Sequence, residues 1–127
     1  VQVELWGSGK PMREFLWSQE MGDATVFVME SVNFFDLVDV IHGREIKNTH
    51  INIGTGIEIS IKDVANLVKE IVEFSGSLWF NTDKPDGTMR KLSDVSKLNS
   101  LGWQHQVEIE DGLKLMYAWY TEYNILN

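Results

Sequence analysis

Apolar and polar residues alternate through Val1-Gln2-Val3-Glu4-Leu5-Trp6, the period-two signature of a strand with one buried face. Gly7, Gly9 and Pro11 then punctuate the chain, and Met12 to Leu16 reads as a returning strand, giving an expected β-hairpin that carries Arg13. The period lengthens from about Ser18 to Glu30, where Met21, Ala24, Thr25, Val28 and Val32 fall on one helical face. Ser18 or Asp23 would cap or charge its first turn. Asn33 to Asn48 has no clear period and reads as a variable or mobile loop. His50 to Ile53 reads as a short apolar strand. Ser60-Ile61-Lys62-Asp63 resembles a capping box with Asp for Glu, and Ile61, Val64, Ala65, Val68, Ile71 and Val72 follow at helical spacing. Gly76 is expected to end that helix.

Ser77 to Phe80 predicts another strand, and Asn81 to Thr88 a long turn. Asp94 is placed to cap a short helix over Val95 to Leu101, stopped by Gly102. A last helix is predicted over Glu108 to Tyr123, with Ile109, Leu113, Met116, Tyr117 and Tyr120 as its apolar stripe. Glu110 and Asp111 suit its positive end. Three or four short strands with about three helices make a small α/β or α+β body of one domain, residues 1–127. Nothing in this pattern is a complete Rossmann unit. The chain begins without Met and inside a strand pattern, which reads as a piece of a larger protein.

Composition narrows the function classes. A hydrophobic share of 43% with five Trp belongs to a folded body. The net charge of −8 argues against nucleic acid and against an anionic membrane surface. The absence of Cys rules out a disulfide frame and a thiolate metal site and suits a reducing, cytoplasmic compartment. His42, His50 and His105 are scattered without ligand spacing, so no metal site is expected. No nucleophile and base pair emerges from the spacing, so no catalytic residue is assigned. Gly54-Thr55-Gly56 precedes a helix, but it lacks the third Gly of a dinucleotide fingerprint and the Lys of a P-loop. It is read as a structural turn.

Charge changes the picture in two places. Trp6 to Phe15 and Lys84 to Lys91 are Gly- and Pro-containing loops that hold five of the eleven Lys and Arg residues of an acidic chain. Arg13 and Arg90 could each grip phosphate with two donors, and Lys84 and Lys91 add charge. Trp6 could stack on a base or sugar, and Asp86 could accept hydrogen bonds from ribose hydroxyls or a base edge. A pyrophosphate fits this better than a single anion, which points to a nucleotide sugar. The competing reading is a pair of solvated turns.

The segments Val-x-Leu-Trp-Gly-Ser-Gly-Lys-Pro-Met-Arg-Glu-Phe-Leu, His-Ile-Asn-Ile-Gly-Thr-Gly, Lys-Pro-Asp-Gly-Thr-Met-Arg-Lys-Leu-x-Asp-Val-Ser-Lys-Leu and Leu-Gly-Trp resemble the C-terminal part of the GDP-L-fucose synthase family. These are extended short-chain dehydrogenase/reductases, and the resemblance runs from Trp6 to about Tyr120. It implies a substrate-binding domain that closes over a GDP-sugar, with Trp6, Arg13, Asp86, Arg90 and Lys91 at the substrate. It further implies NADP held by an N-terminal Rossmann domain not included here, which also carries the catalytic residues. The implied reaction is 3,5-epimerisation and NADPH-dependent 4-reduction of GDP-4-keto-6-deoxy-D-mannose, by an enzyme that is usually a homodimer. On that resemblance the piece alone would be inactive. Other nucleotide-sugar epimerases and dehydratases, or a non-catalytic binding module, stand as alternatives. Two departures are visible: Trp17-Ser18-Gln19-Glu20 replaces the family's His-Val-Asp-Asp, and Met89 stands where Pro is common.

Overall fold

The computed structural model describes residues 1–38 and 46–125. His42 and the middle of the expected 33–48 loop lie outside them. Strand β1 (Gln2–Trp6) pairs in parallel with β4 (Ser77–Asn81), Trp6 standing opposite Asn81. A second sheet has the order β3-β2-β5. Its central strand β2 (Met12–Glu14) runs antiparallel to β3 (Glu58–Ser60) and parallel to β5 (Arg90–Lys91).

The expected hairpin therefore does not form, because β1 and β2 belong to different sheets. Gly7 and Gly9, at φ +85° and +74°, carry the chain from one to the other. This crossing is anchored by helix α2 (Ile61–Ile71), whose first amides would otherwise lack partners. Ile61 N–H donates to Pro11 C=O at 3.0 Å and Lys62 N–H to Gly9 C=O at 2.9 Å. Ser60 caps the helix as its spacing predicts, accepting from Asp63 N–H at 3.0 Å.

Other boundaries moved for identifiable reasons. Helix α2 stops before Gly76, because Val72 caps it and Glu73 adopts φ +54°. Gly76 serves a different purpose: an added Cβ would lie 2.3 Å from Val1 O, where the parallel pair begins. Helix α1 (Ser18–Ser31) starts after Trp17 with no side-chain cap. Asp23 accepts instead from Trp103 Nε1–H at 2.8 Å. His50 to Ile53 is not a strand; Ile51 and Ile53 pack against the core. Helices α3 (Ser96–Leu101) and α4 (Ile109–Ile125) bring the α-helices among the described residues to four, each at a stretch where the sequence places a helix. Asp94 accepts from Ser96 N–H at 3.0 Å at the start of α3, and Gly102 ends it at φ +109°.

The core sits between α1 and α3, where Ala24, Leu98 and Trp103 are buried and Leu16, Phe27 and Val28 close around them. On the other side, α4 lies beside α2 along an open apolar groove lined by Val68, Leu113, Met116 and Tyr117. No helix among the described residues is long and apolar enough to cross a membrane.

Candidate functional site

The two cationic loops leave the carboxyl ends of the parallel β1–β4 pair, the edge at which open α/β sheets commonly receive ligands. They meet there. Asp86 Oδ1 accepts from Ser8 N–H at 2.7 Å, and Asp86 Oδ2 accepts from Ser8 Oγ–H at 2.6 Å. These bonds, with a lesser contribution from the charge of Lys10, hold the Asp86 carboxyl below the usual carboxylate range against the opposing effect of burial. Gly7 makes room for this contact, since an added Cβ would lie 2.3 Å from Asp86 Oδ1. Asp86 thus ties one loop to the other, and each of its oxygens retains acceptor capacity for a further hydrogen bond.

Trp6 ends β1 with 71% of its surface exposed, and Lys84 Nζ stands 5.2 Å from its ring centroid. That is a cation–π contact on an exposed ring. Asn81 shapes the turn beneath Lys84: its carbonyl accepts from Gly7 N–H and Lys84 N–H, and its side-chain oxygen accepts from Asp83 N–H.

Arg13 is half-buried, and its Nη1 donates to Met12 C=O at 2.6 Å and Thr88 C=O at 2.7 Å. The guanidinium therefore supports the second loop from below. Strand register decides which cations share a side, because successive side chains point to opposite faces. Arg13 is the Cα partner of Lys91, so these two share one face. Arg90 is the partner of Met12 and falls on the other face. There it meets Glu58, with Nε donating to Oε2 at 2.9 Å and Nη2 ion-paired to Oε1 at 2.7 Å.

The turn Gly54-Thr55-Gly56 is occupied from within. Glu14 Oε1 accepts from Thr55 N–H at 2.7 Å and Gly56 N–H at 2.6 Å, and Oε2 accepts from Ser93 N–H at 3.0 Å. Burial pulls this carboxyl upward, but the hydrogen bonds from Gly56, Ser93 and Thr55 prevail and hold it below the usual range. These amides are thereby spent on a side chain, as the structural-turn reading expected. The described residues thus do not fit a dinucleotide at this turn. Sequence reasoning missed Glu14 as the hub of this region. It also missed Glu58 and Ser8; Ser8 lies in a loop it had marked, but a lone Ser or Glu carries no spacing signal. Among the described residues no group of three His, Cys, Asp or Glu could hold a metal ion.

Comparison with known proteins agrees with this architecture. No protein-family model matches the chain. A putative GDP-L-fucose synthase of Arabidopsis thaliana is 46% identical over 121 residues, covering 95% of this chain and 33% of that protein. A GDP-6-OMe-4-keto-L-xylo-heptose reductase from C. jejuni superposes with a TM-score of 0.88 at 53% identity, covering 95% of this chain and 34% of that one. A GDP-mannoheptose C4 reductase from Campylobacter jejuni, solved with NADP bound, gives a TM-score of 0.81 at 51% identity over 94% of this chain and 35% of that one. The chain spans about a third of the length of the relatives it matches. By sequence and by fold, the chain is homologous to the C-terminal part of the GDP-L-fucose synthases and their extended short-chain dehydrogenase/reductase relatives.

Proposed function

We propose that this chain is the substrate-binding domain of a GDP-sugar epimerase/reductase, acting on GDP-4-keto-6-deoxy-D-mannose in the manner of a GDP-L-fucose synthase. The observation that carries the reading is the union of two cationic loops at the carboxyl edge of the β1–β4 pair, with Arg13 and Lys91 on one face. Arg13 and Lys91 take the diphosphate, for which paired cations supply charge-assisted hydrogen bonds. Trp6 presents an exposed ring to the base or ribose, and Asp86 accepts from ribose hydroxyls with its remaining acceptor capacity. Arg90 belongs to the same short strand but lies on its other face, paired with Glu58.

In the intact protein the proposed chemistry is 3,5-epimerisation and NADPH-dependent 4-reduction, carried by a portion of the protein outside these residues. NADP is assigned to that portion in this proposal, a reading supported by the engagement of the Gly54-Thr55-Gly56 amides with Glu14. The role of the present residues is to bind, orient and enclose the GDP-sugar. A cytoplasmic homodimer is the proposed setting.

A second reading follows from the 51–53% identity to the Campylobacter GDP-heptose enzymes: the sugar is a GDP-4-keto-heptose and reduction is the only step. NADPH oxidation by the intact protein separates the two readings. Turnover of GDP-4-keto-6-deoxy-D-mannose to GDP-L-fucose supports the first. Turnover confined to the keto-heptose, without epimerisation, replaces it with the second. Competition by UDP or dTDP as strong as that by GDP removes both.

A further inference from the structure

We infer that Glu58 is a positioning residue for the diphosphate site, clamping Arg90 so that Lys91 stands beside Arg13, and that Arg90 itself does not touch the ligand. This rests on the GDP-sugar reading of the same site.

Strand β5 has only two residues and follows a turn that runs from 82 to 89. Its ladder to β2 consists of two register pairs, Met12 with Arg90 and Arg13 with Lys91. So short a parallel pairing fixes little by itself, since each ladder bond contributes modestly and parallel pairing is the weaker kind. The Glu58–Arg90 fork supplies the missing constraint. It reaches from β3 across the central strand β2 to β5, and so ties both edges of the sheet together on one face. It combines a hydrogen bond from Nε with an ion pair at Nη2, two contacts to one carboxylate that specify orientation as well as proximity.

Exposure shows which partner is the anchor. The Glu58 side chain is 16% exposed and the Arg90 side chain 69%. The carboxylate is the more fixed end, and Arg90 is folded down onto it. The edge of Arg90 best shaped for a phosphate, Nε with Nη2, is already engaged. The alternation of side chains also puts Arg90 on the face away from Arg13 and Lys91. A ligand held by the latter pair meets Arg90 only through the backbone of β5. Loss of the fork lets the strand slip or lift, and Lys91 then leaves its place beside Arg13.

The test is GDP binding to the intact protein by titration calorimetry, for wild type, E58A, R90A and the charge exchange E58R/R90E. The clamp predicts that each single variant weakens GDP binding by roughly fivefold to tenfold, within the range of coupling between contacting residues. The exchange rebuilds the pair and restores binding to near the wild-type value. A residue that held phosphate directly behaves otherwise: the exchange sets a carboxylate against the ligand and binds worse than either single variant. That result, or weakening by R90A with none by E58A, overturns the proposal. Should the exchange fail to fold, E58Q and R90K serve instead. Both break the fork while R90K keeps the charge, so equal weakening supports the clamp and a harmless R90K overturns it. K91A and R13A monitor the underlying reading separately. If both bind GDP as wild type does, the diphosphate assignment falls and takes the clamp's function with it.

Discussion

Ser8 and Asp86, 78 residues apart in sequence, face each other through two short hydrogen bonds, one from the Ser8 amide and one from its hydroxyl. The contact joins loops that leave neighbouring parallel strands, one after Trp6 and one after Asn81. A carboxylate that takes both a backbone and a side-chain donor from one residue fixes orientation as a hinge pin would. On the proposed reading the site is built before any ligand arrives, which lowers the ordering cost of binding.

Ser8→Ala leaves the amide bond and deletes the hydroxyl one. Because the Ser8 side chain is the largest cause of the depressed Asp86 pKa, its loss should bring that carboxyl back toward the ordinary value. The sign follows from linkage: a depressed carboxyl adds stability above its unfolded pKa and loses it as pH falls through the folded one. The wild-type latch should therefore persist to lower pH than the variant's. Carboxyl-carbon NMR titration of Asp86 in both proteins checks this, and identical midpoints would dissolve the latch.

Arg13→Ala in the intact protein should weaken GDP-sugar affinity by roughly 1.5–3 kcal/mol, the scale of a charged hydrogen bond. Arg13→Lys should recover only part of this, because a lysine cannot donate to Thr88 C=O and Met12 C=O while offering a second edge to phosphate. Calorimetry with GDP, alongside Michaelis constants for the keto sugar, reads both effects. An unchanged Michaelis constant in Arg13→Ala would remove Arg13 from the site.

Much of this was legible in the chain and some was not, for physical reasons. Helix α2 declared itself through Ser60 and its apolar face, because capping and helical period are local. The two cationic loops were visible because cations clustered beside Gly and Pro in an acidic chain. The hairpin was misread because Gly7, Gly9 and Pro11 signal a turn without saying which sheet the chain enters afterwards. Pairing of β1 with β4 is a contact across some 75 residues that no local pattern encodes. His50 to Ile53 alternates like a strand, yet Ile51 and Ile53 pack on the core without joining a ladder. Arg90 and Lys91 looked interchangeable in sequence; only the register with Met12 and Arg13 separates their faces.

Leu98 is fully buried between Ala24 and Trp103, and it belongs to a helix of only six residues. Leu98→Ala should cost about 2–5 kcal/mol, the range for truncating a packed leucine. Helix α3 cannot survive that by itself, since six residues are too few to be stable without packing. Urea denaturation followed by Trp103 fluorescence reads the loss. A shift of less than about 1 kcal/mol would mean that the core lies elsewhere.

Glu14→Gln tests the hub under the 54–56 turn. The substitution keeps the shape but replaces one oxygen with an amide NH2, a donor set against N–H donors, and it removes the charge that strengthens the remaining bonds. Stability should fall by roughly 1.5–3 kcal/mol at neutral pH. The pH dependence gives a sharper signature. Wild-type Glu14 is held below the usual glutamate range, so its contribution is full above that range and disappears as pH falls through the folded value. The variant has no such group, and the two stability curves should converge in acid. Gly54 depends on the same contact, because a Cβ there would lie 2.4 Å from Glu14 Oε1. Gly54→Ala should therefore destabilise the wild type more than it does Glu14→Gln, whose turn is already loosened. Denaturant midpoints for the four proteins, measured at neutral pH and again in acid, form one double-mutant cycle. Additive losses at neutral pH would mean that Glu14 and the turn are independent. A loss in Glu14→Gln that persists unchanged in acid would mean that its charge contributes nothing there.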